Sequence, residues 1–584
     1  MSKALLSLLK FTSISGFSPI NFRRSVHITF YNAPERNDRP RDTLDFFEKM
    51  PKNAFRRVPG GRKSKKQKVE KAGAGEEPDE ILRQDINRLL KDGAKAEHGE
   101  SQSEDASDPV LPEIFTDMEV NVSDISSTGD GLALSEDGDH VYVVPFTVPG
   151  DKVLVKVVRH VPEHHYSVTD FLKVISPGPR RDDSQIRCQY FAKCSGCQLQ
   201  MMSYDDQLKH KKRIVEKAYA NFSGLIPDLL PAIGDTFPSP LQYGYRTKLT
   251  PHFSSPVGHH PKKDRSERQL QPEVPPIGFT FKNRRMNVDI EDCPLGTDIV
   301  RRGLTRERKR VVENINSYTK GATLLMREST TRVKKDETQP TNGDDDLEDV
   351  IRTEYPNYIE EKRCITDNNA TSIEYVDDYV FSNKAGAFFQ NNNSILSGFT
   401  DYIRQRVHPP ARKDGEKPIK YLLDAYSGSG LFTVTLATSF RSSLGVDIAG
   451  DSIVSARENA KANDLSNTGF AAADAASLFK DIPYPPDETL LVIDPPRKGC
   501  SEDFLKQLLA YGPRRVVYVS CNVHTQARDV GVLVQGGGEG DCRYDVESIR
   551  GFDFFPQTGH VEGVAVLNKV SKSAGGGGVV AEQI

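Results

Sequence analysis

The chain has 584 residues, eight cysteines, no tryptophan, a net charge of −4 and 37% apolar residues. Its length exceeds one ordinary domain, and the low apolar share implies stretches that cannot bury enough surface to fold. The near-neutral charge excludes a globally basic nucleic-acid binder, the few cysteines exclude a secreted disulfide scaffold, and no apolar run approaches the roughly 20 residues that cross a bilayer.

The first 34 residues carry Lys3, Lys10, Arg23 and Arg24 among Leu, Phe and Ser, with no Asp or Glu. That composition predicts a mitochondrial presequence cleaved just after the arginine pair, and hence a mitochondrial pool, alone or beside a cytoplasmic–nuclear one. Residues 35–117 are rich in charge, Gly and Ser and read as a disordered linker with one helix over 79–91. The basic tract RRVPGGRKSKKQKVEK (56–71) suits a nuclear signal or an RNA-touching arm equally well. From Met118, four or five short alternating strands separated by Gly and Asp turns predict a small OB-type barrel over 118–178. Lys152, Lys156, Arg159, His160, His164 and His165 lend it a basic, partly aromatic surface suited to RNA, although a solvated barrel face reads the same.

A cysteine cluster follows. CQYFAKCSGC places Cys188, Cys194 and Cys197 as C-x₅-C-x₂-C, and Cys293 comes much later in DIEDCPL. Four thiolates can hold a [4Fe–4S] cluster or zinc, and this spacing is not the paired C-x₂-C knuckle of a zinc ribbon. A helix over 203–221 and a mixed α/β stretch complete a central domain, 179–375, with polar insertions at 256–276 and 331–350.

Within a domain placed at 376–570, strand and helix alternate from residue 418, which predicts an α/β domain with a parallel sheet. DAYSGSG (424–430) lacks the third glycine of the dinucleotide fingerprint. A strand-ending Asp followed by small residues, here with Tyr426 and Gly428, suits the amino-acid end of S-adenosylmethionine, whose carboxylate meets helix N-terminal amides. Asp447, ending the next strand, supplies a carboxylate for a ribose, and Asp474 in AAADAASL stands where an adenine amino group could be read.

Asp494 opens DPPR, whose prolines fix an extended strand end. Arg497 stands where amino-methyltransferases carry an aromatic, which argues against exocyclic-nitrogen methylation. VVYVS then runs into Cys521, a thiol at the carboxyl end of a strand, where it is either a small buried hydrophobe or a nucleophile. Uracil C5 is too weak a nucleophile to take a methyl group unaided. A thiolate adding to C6 puts electron density on C5, and a base must later remove the C5 proton. Glu562, after the constrained turn of FDFFPQTGHVEGVAVL, is the candidate base. The last dozen or so residues, 571–584, read as a flexible tail.

FFQNNN (388–393), DAYSGSG, DPPRKG, YVSCN and PQTGHVE, with the barrel and the four cysteines, resemble the RNA uracil-5-methyltransferase family over about residues 118–568. The resemblance implies a class I (Rossmann-like) S-adenosylmethionine-dependent methyltransferase domain behind a TRAM-like barrel. Gln390, Tyr426, Asp447 and Asp494 match the family's cofactor-binding positions, Cys521 its nucleophile and Glu562 its proton acceptor. Asp447 stands where members often have Glu, and Tyr426 where many have Phe. The four cysteines resemble those of cluster-binding members, with a structural role. The implied reaction is methylation of a uridine C5 in RNA, with the tRNA T-loop the expected target and rRNA the alternative. An RNA-binding folding factor in which methylation is incidental is a reading from another class. A monomer with no membrane partner is expected.

Overall fold

Apolar residues recur at helical spacing in Leu82, Ile86, Leu89 and Leu90, and Pro78–Glu97 forms α1. The computed structural model describes residues 78–97, 111–255, 273–335, 349–410, 417–473, 478–479, 482–537 and 542–570. The presequence, the tract 56–71, most of both insertions, Asp474 and the tail lie outside the described residues.

Within the stretch expected to be a linker, α1 is longer than 79–91 and is docked. Its apolar stripe packs on Leu132, Val141, Val143, Val161 and Tyr166. Asp85, buried beside that stripe, accepts the Ser127 N–H at 2.5 Å and pairs with Lys217 at 3.0 Å. A charged composition hides such a helix because four apolar residues on one face suffice to bury it.

The next module has six strands rather than four or five: β1 (Asp117–Asn121), β2 (Asp124–Ile125), β3 (Gly131–Leu134), β4 (Val141–Val144), β5 (Lys152–Val161) and β6 (Tyr166–Ser176). They form one sheet in the order β1-β5-β6-β4-β3-β2, antiparallel except where β4 meets β6. The two-residue β2 is too short to show a period in sequence. Val153, Val155 and Val157 alternate into the core along β5. Part of the basic surface is engaged internally: Lys152 pairs with Glu119, Lys156 with Asp117, and the His160 ring contacts Ser167 and the Pro112 carbonyl.

Helix α2 (Tyr204–Phe222) is capped by Ser203, whose hydroxyl accepts the Asp206 N–H, and the short strand β7 (Gly234–Phe237) follows. Two four-stranded sheets then pack against α3 (Asp298–Glu313), with Ile299, Val300, Leu304 and Val311 facing Leu249, Phe253 and Met326.

After α4 (Leu396–Arg404) come β8 (Tyr421–Ala425), α5 (Leu431–Thr435), β9 (Ser442–Asp447), α6 (Gly450–Ala462), β10 (Thr468–Ala472), β11 (Thr489–Ile493), α7 (Glu502–Tyr511), β12 (Arg515–Ser520), α8 (Val523–Gln535), β13 (Tyr544–Phe552) and β14 (Glu562–Lys569). The sheet runs β10-β9-β8-β11-β12-β14-β13-β7, with the first five strands parallel and β14 antiparallel to both neighbours. Every residue of β11 and β12 is buried, as a parallel strand covered on both faces requires. Val516 and Tyr518 pack toward Phe504 and Leu508, while Val517 and Val519 pack toward Phe399, Phe432 and Phe552.

The division at residue 376 is not how the chain is used. β7 is the edge strand beside β13, and Ile214, Val215, Ala218 and Tyr219 of α2 share a core with Val523, Ala527 and Val530 of α8. Periodicity reveals the apolar face of a helix but not its partner.

Candidate active site

The carboxyl ends of β8, β9, β11 and β12 open on the same side. Beyond β8 the backbone enters the left-handed region at Tyr426 (φ 64°), Gly428 (53°) and Gly430 (92°). A side chain at Gly428 would meet nothing within 4 Å, so the loop faces open space there, whereas one at Gly430 would press on the Phe470 ring at 3.2 Å. Tyr426 packs its ring on Phe504. Asp447 accepts the Gly428 N–H at 3.0 Å and the Ala449 N–H at 2.7 Å, which fixes its carboxylate over the glycine loop.

Asp424, fully buried beneath, takes both the backbone N–H and the hydroxyl of Thr433 on one oxygen and leaves the other without a partner. Burial pushes its pKa up to about 7. Glycines that open a cradle, a fixed carboxylate beyond it and an orphaned buried oxygen below fit an adenosyl amino acid.

Gln390 is half-buried at the head of an asparagine run that is pinned on every side. The Asn391 carbonyl accepts the Thr247 N–H, and Arg327 reaches the Asn391 amide. Asn392 donates to Ser239 Oγ and the Phe554 carbonyl, and Asn393 to the Tyr375 carbonyl. Among the described residues, the Gln390 side chain makes no hydrogen bond to the other candidates.

The second half of the site lies on β11, β12 and β14. Ile493 pairs with Tyr518 and Ser520 with Gly563, so Asp494, Cys521 and Glu562 leave adjacent strands at one end. The DPPRKG turn is stapled to α8. Asn522 Nδ2 and Thr525 Oγ1 both donate to the Arg497 carbonyl, and Asp529 accepts the Cys500 N–H at 2.7 Å and the Tyr518 hydroxyl at 2.5 Å. Gly499 (φ 76°) has no room for a side chain: a Cβ there would sit 2.6 Å from Arg528.

The electrostatics bind these groups into one cluster. Burial pushes the Cys521 thiol up to about 12, Glu562 and Asp494 add to the rise, and the positive charge of Arg497 opposes it. Glu562, only 2% exposed, is held well above the carboxylate range by burial and then by Asp494, again against Arg497. Asp494 is raised to about 7 by burial and by Asp424. His560 is lowered to about 4 by burial and the same arginine, so its ring is neutral. A cation is thus the one group here that favours the thiolate. Sequence reasoning used Arg497 only to exclude another reaction; its place three residues after Asp494, in the same strand-end turn, was the signal for a role in the site.

The four cysteines come together across the chain. Cys188, Cys194, Cys197 and Cys293 line one cavity of about 220 Å³ with Arg246, Leu249 and Phe279. Gly244 and Arg246 donate to the Pro294 and Leu295 carbonyls and carry Cys293 to the others. Burial raises all four thiols, Cys194 to about 11. Among the described residues, no three His, Cys, Asp or Glu side chains close around a single ion.

The family described as tRNA (uracil-5-)-methyltransferase matches residues 484–570, the segment holding Asp494, Cys521 and Glu562. The chain is 46% identical over 468 residues to the tRNA (uracil(54)-C(5))-methyltransferase of Schizosaccharomyces pombe, covering 79% of this chain and 81% of that one. It is 38% identical over 556 residues to the Saccharomyces cerevisiae protein of the same description, covering 88% and 85%. The crystal structure of Pyrococcus abyssi tRNA (uracil-54, C5)-methyltransferase in complex with S-adenosyl-L-homocysteine shares the fold, with a TM-score of 0.52 at 22% identity over 77% of this chain and 100% of that one.

Proposed function

Because this chain belongs to the tRNA (uracil-5-)-methyltransferase family, we propose that it methylates C5 of uracil 54 in tRNA, as its fungal relatives are described to do. The observation that carries the mechanism is the convergence of Asp494, Arg497, Cys521 and Glu562 at the ends of adjoining strands beside the glycine cradle.

Gln390, Tyr426, Gly428, Asp447 and Asp494 are assigned to S-adenosylmethionine, with Asp474 as an adenine reader outside the described residues. When bound, that donor supplies a sulfonium methyl group to an electron-rich carbon. Cys521 makes uracil C5 such a carbon by adding to C6, with Arg497 stabilising the thiolate. Glu562 then takes the C5 proton, the C5–C6 double bond re-forms and the C6–S electron pair returns to sulfur. Asp494, its carboxyl raised to about 7 by burial and Asp424, is also assigned a hydrogen bond to the uracil edge. The six-stranded module is assigned to an OB-type, TRAM-like barrel that holds RNA.

Full-length protein incubated with methyl-labelled donor and total tRNA or rRNA from cells lacking it is expected to label tRNA alone, as 5-methyluridine. Label confined to rRNA would move the substrate, and no label in either would leave an RNA-binding folding factor.

We also assign the four cysteines to a [4Fe–4S] cluster. Four thiols line one cavity, and their C-x₅-C-x₂-C spacing with a distant fourth is unlike the paired knuckles of a zinc ribbon, which supports a cluster that takes one thiolate per iron. Protein purified without air is expected to contain iron and acid-labile sulfide in equal amounts; zinc in their place would overturn the assignment.

A further inference from the structure

One side chain joins three parts of the molecule that sequence reading treats separately. Gln198 directly follows the cluster residue Cys197. Its amide Nε2 donates to the Thr128 carbonyl of the turn between β2 and β3 at 2.7 Å. Its Oε1 accepts the Gly559 N–H at 3.0 Å, in the turn that leads to Glu562. The Gln198 and Leu199 backbone N–H groups both donate to the Gln557 carbonyl, at 2.8 and 3.1 Å.

The turn so held is strained. Gln557 is 3% exposed and sits at φ 72°, a conformation that side chains other than glycine adopt at a cost. Its backbone N–H donates to Gln207 Oε1 of α2, and its side-chain Oε1 accepts from Gln207 Nε2, each at 3.0 Å. Two glycines let the segments close. A Cβ on Gly559 would lie 3.3 Å from the Gly129 backbone, and one on Gly129 would lie 2.9 Å from the Gln198 amide. A buried turn in an uncommon conformation, five residues before a buried carboxylate, holds its shape only while its partners are in place.

We infer that Gln198 is a positioning residue for Glu562, tying the catalytic turn to the cysteine segment and to the barrel. The inference rests on the methyltransferase reading above. It concerns the last step, in which the C5–H bond breaks toward the Glu562 carboxylate, its electrons re-form the C5–C6 double bond and the Cys521 thiolate leaves C6. A displaced carboxylate does not hinder thiolate addition or methyl uptake, but it stalls elimination. Loss of Gln198 therefore traps enzyme on RNA that has already received its methyl group.

The test uses the full-length protein, methyl-labelled donor and tRNA lacking the modification. Gln198→Met keeps the bulk and removes both side-chain hydrogen bonds. Gln198→Glu keeps an oxygen for the Gly559 N–H but cannot donate to the Thr128 carbonyl, so it separates the link to the catalytic turn from the link to the barrel. For Gln198→Met, kcat is expected to fall about 10²-fold, the scale of a displacement near 1 Å, with KM for tRNA little changed. A methyl-labelled protein–tRNA adduct that survives denaturation should accumulate above the wild-type level. Gln198→Glu is expected to turn over near the wild-type rate and release its RNA. Gly129→Ala, which presses on the Gln198 amide from the barrel side, repeats the test should the methionine variant fold poorly.

Wild-type kcat in Gln198→Met and Gly129→Ala would overturn the inference. So would a fall in rate without labelled adduct, which would place the defect before methyl uptake. A wild-type protein that labels no tRNA would instead overturn the methyltransferase reading, and the inference with it.

Discussion

Cys521→Ala protein is expected to fold, to bind tRNA and to form no 5-methyluridine, with the rate reduced by about 10⁴-fold or more, as when other covalent catalysts lose their nucleophile. The thiol is the group at the end of β12 assigned to add to C6, and without that addition C5 never becomes nucleophilic. The variant should form no covalent adduct with tRNA, and its thermal midpoint should stay close to wild type because the change removes a single sulfur atom at a partly exposed strand end. Cys521→Ser should be as inactive, since a hydroxyl beside Glu562 and Asp494 is harder still to ionise than a thiol already raised to about 12. Labelled 5-methyluridine from Cys521→Ala at even a tenth of the wild-type rate would exclude covalent catalysis through this residue.

Glu562→Gln carries the second large effect, and it differs in kind. Addition and methyl uptake remain available while proton removal does not, so turnover should fall by about 10²–10⁴-fold, the usual share of a general base, and methyl-labelled adduct should accumulate. Denaturing electrophoresis of protein with labelled donor and tRNA checks this, and loss of turnover without adduct would assign the base elsewhere.

The same substitution should stabilise the protein at high pH. Burial and Asp494 hold the folded pKa of Glu562 well above the ordinary 4.5. Between 4.5 and that folded value the native state therefore binds more protons than the unfolded one, and stability falls as pH rises. A neutral glutamine removes that loss, so the gain in thermal midpoint over wild type should be present at pH 8 and vanish below about pH 4.5. A site that costs stability in order to hold two carboxylates beside a thiol is a common feature of catalytic centres.

Much of the catalytic domain was legible because its information is local. The apolar runs within β11 (490–493) and β12 (516–519) require strands covered on both faces. The Pro-Pro step after Asp494 and the glycines after Asp424 restrict or free the backbone within a few residues, so the strand ends and their carboxylates could be placed before any tertiary contact was known. Cys521 and Glu562 were legible for a chemical reason as well: a nucleophile and a base are both needed at the same end of such a sheet.

The sequence by itself determined the alternation of strand and helix, the loops at the strand ends and the candidates for the reacting groups, since these follow from backbone restriction and side-chain chemistry over short spans. Only the tertiary structure decided that α1 folds onto the strand module and that β7 and α2 belong to the catalytic sheet. It alone carried Cys293 to Cys188, Cys194 and Cys197, set Arg497 against the Cys521 sulfur and joined Gln198 to the turn before Glu562. Each of these is a contact between segments far apart in the chain, made by burial and by hydrogen bonds that no local spacing encodes. The raised pKa values of Asp494, Cys521 and Glu562 arise the same way, because desolvation and neighbouring charge come from whatever the fold packs around a group.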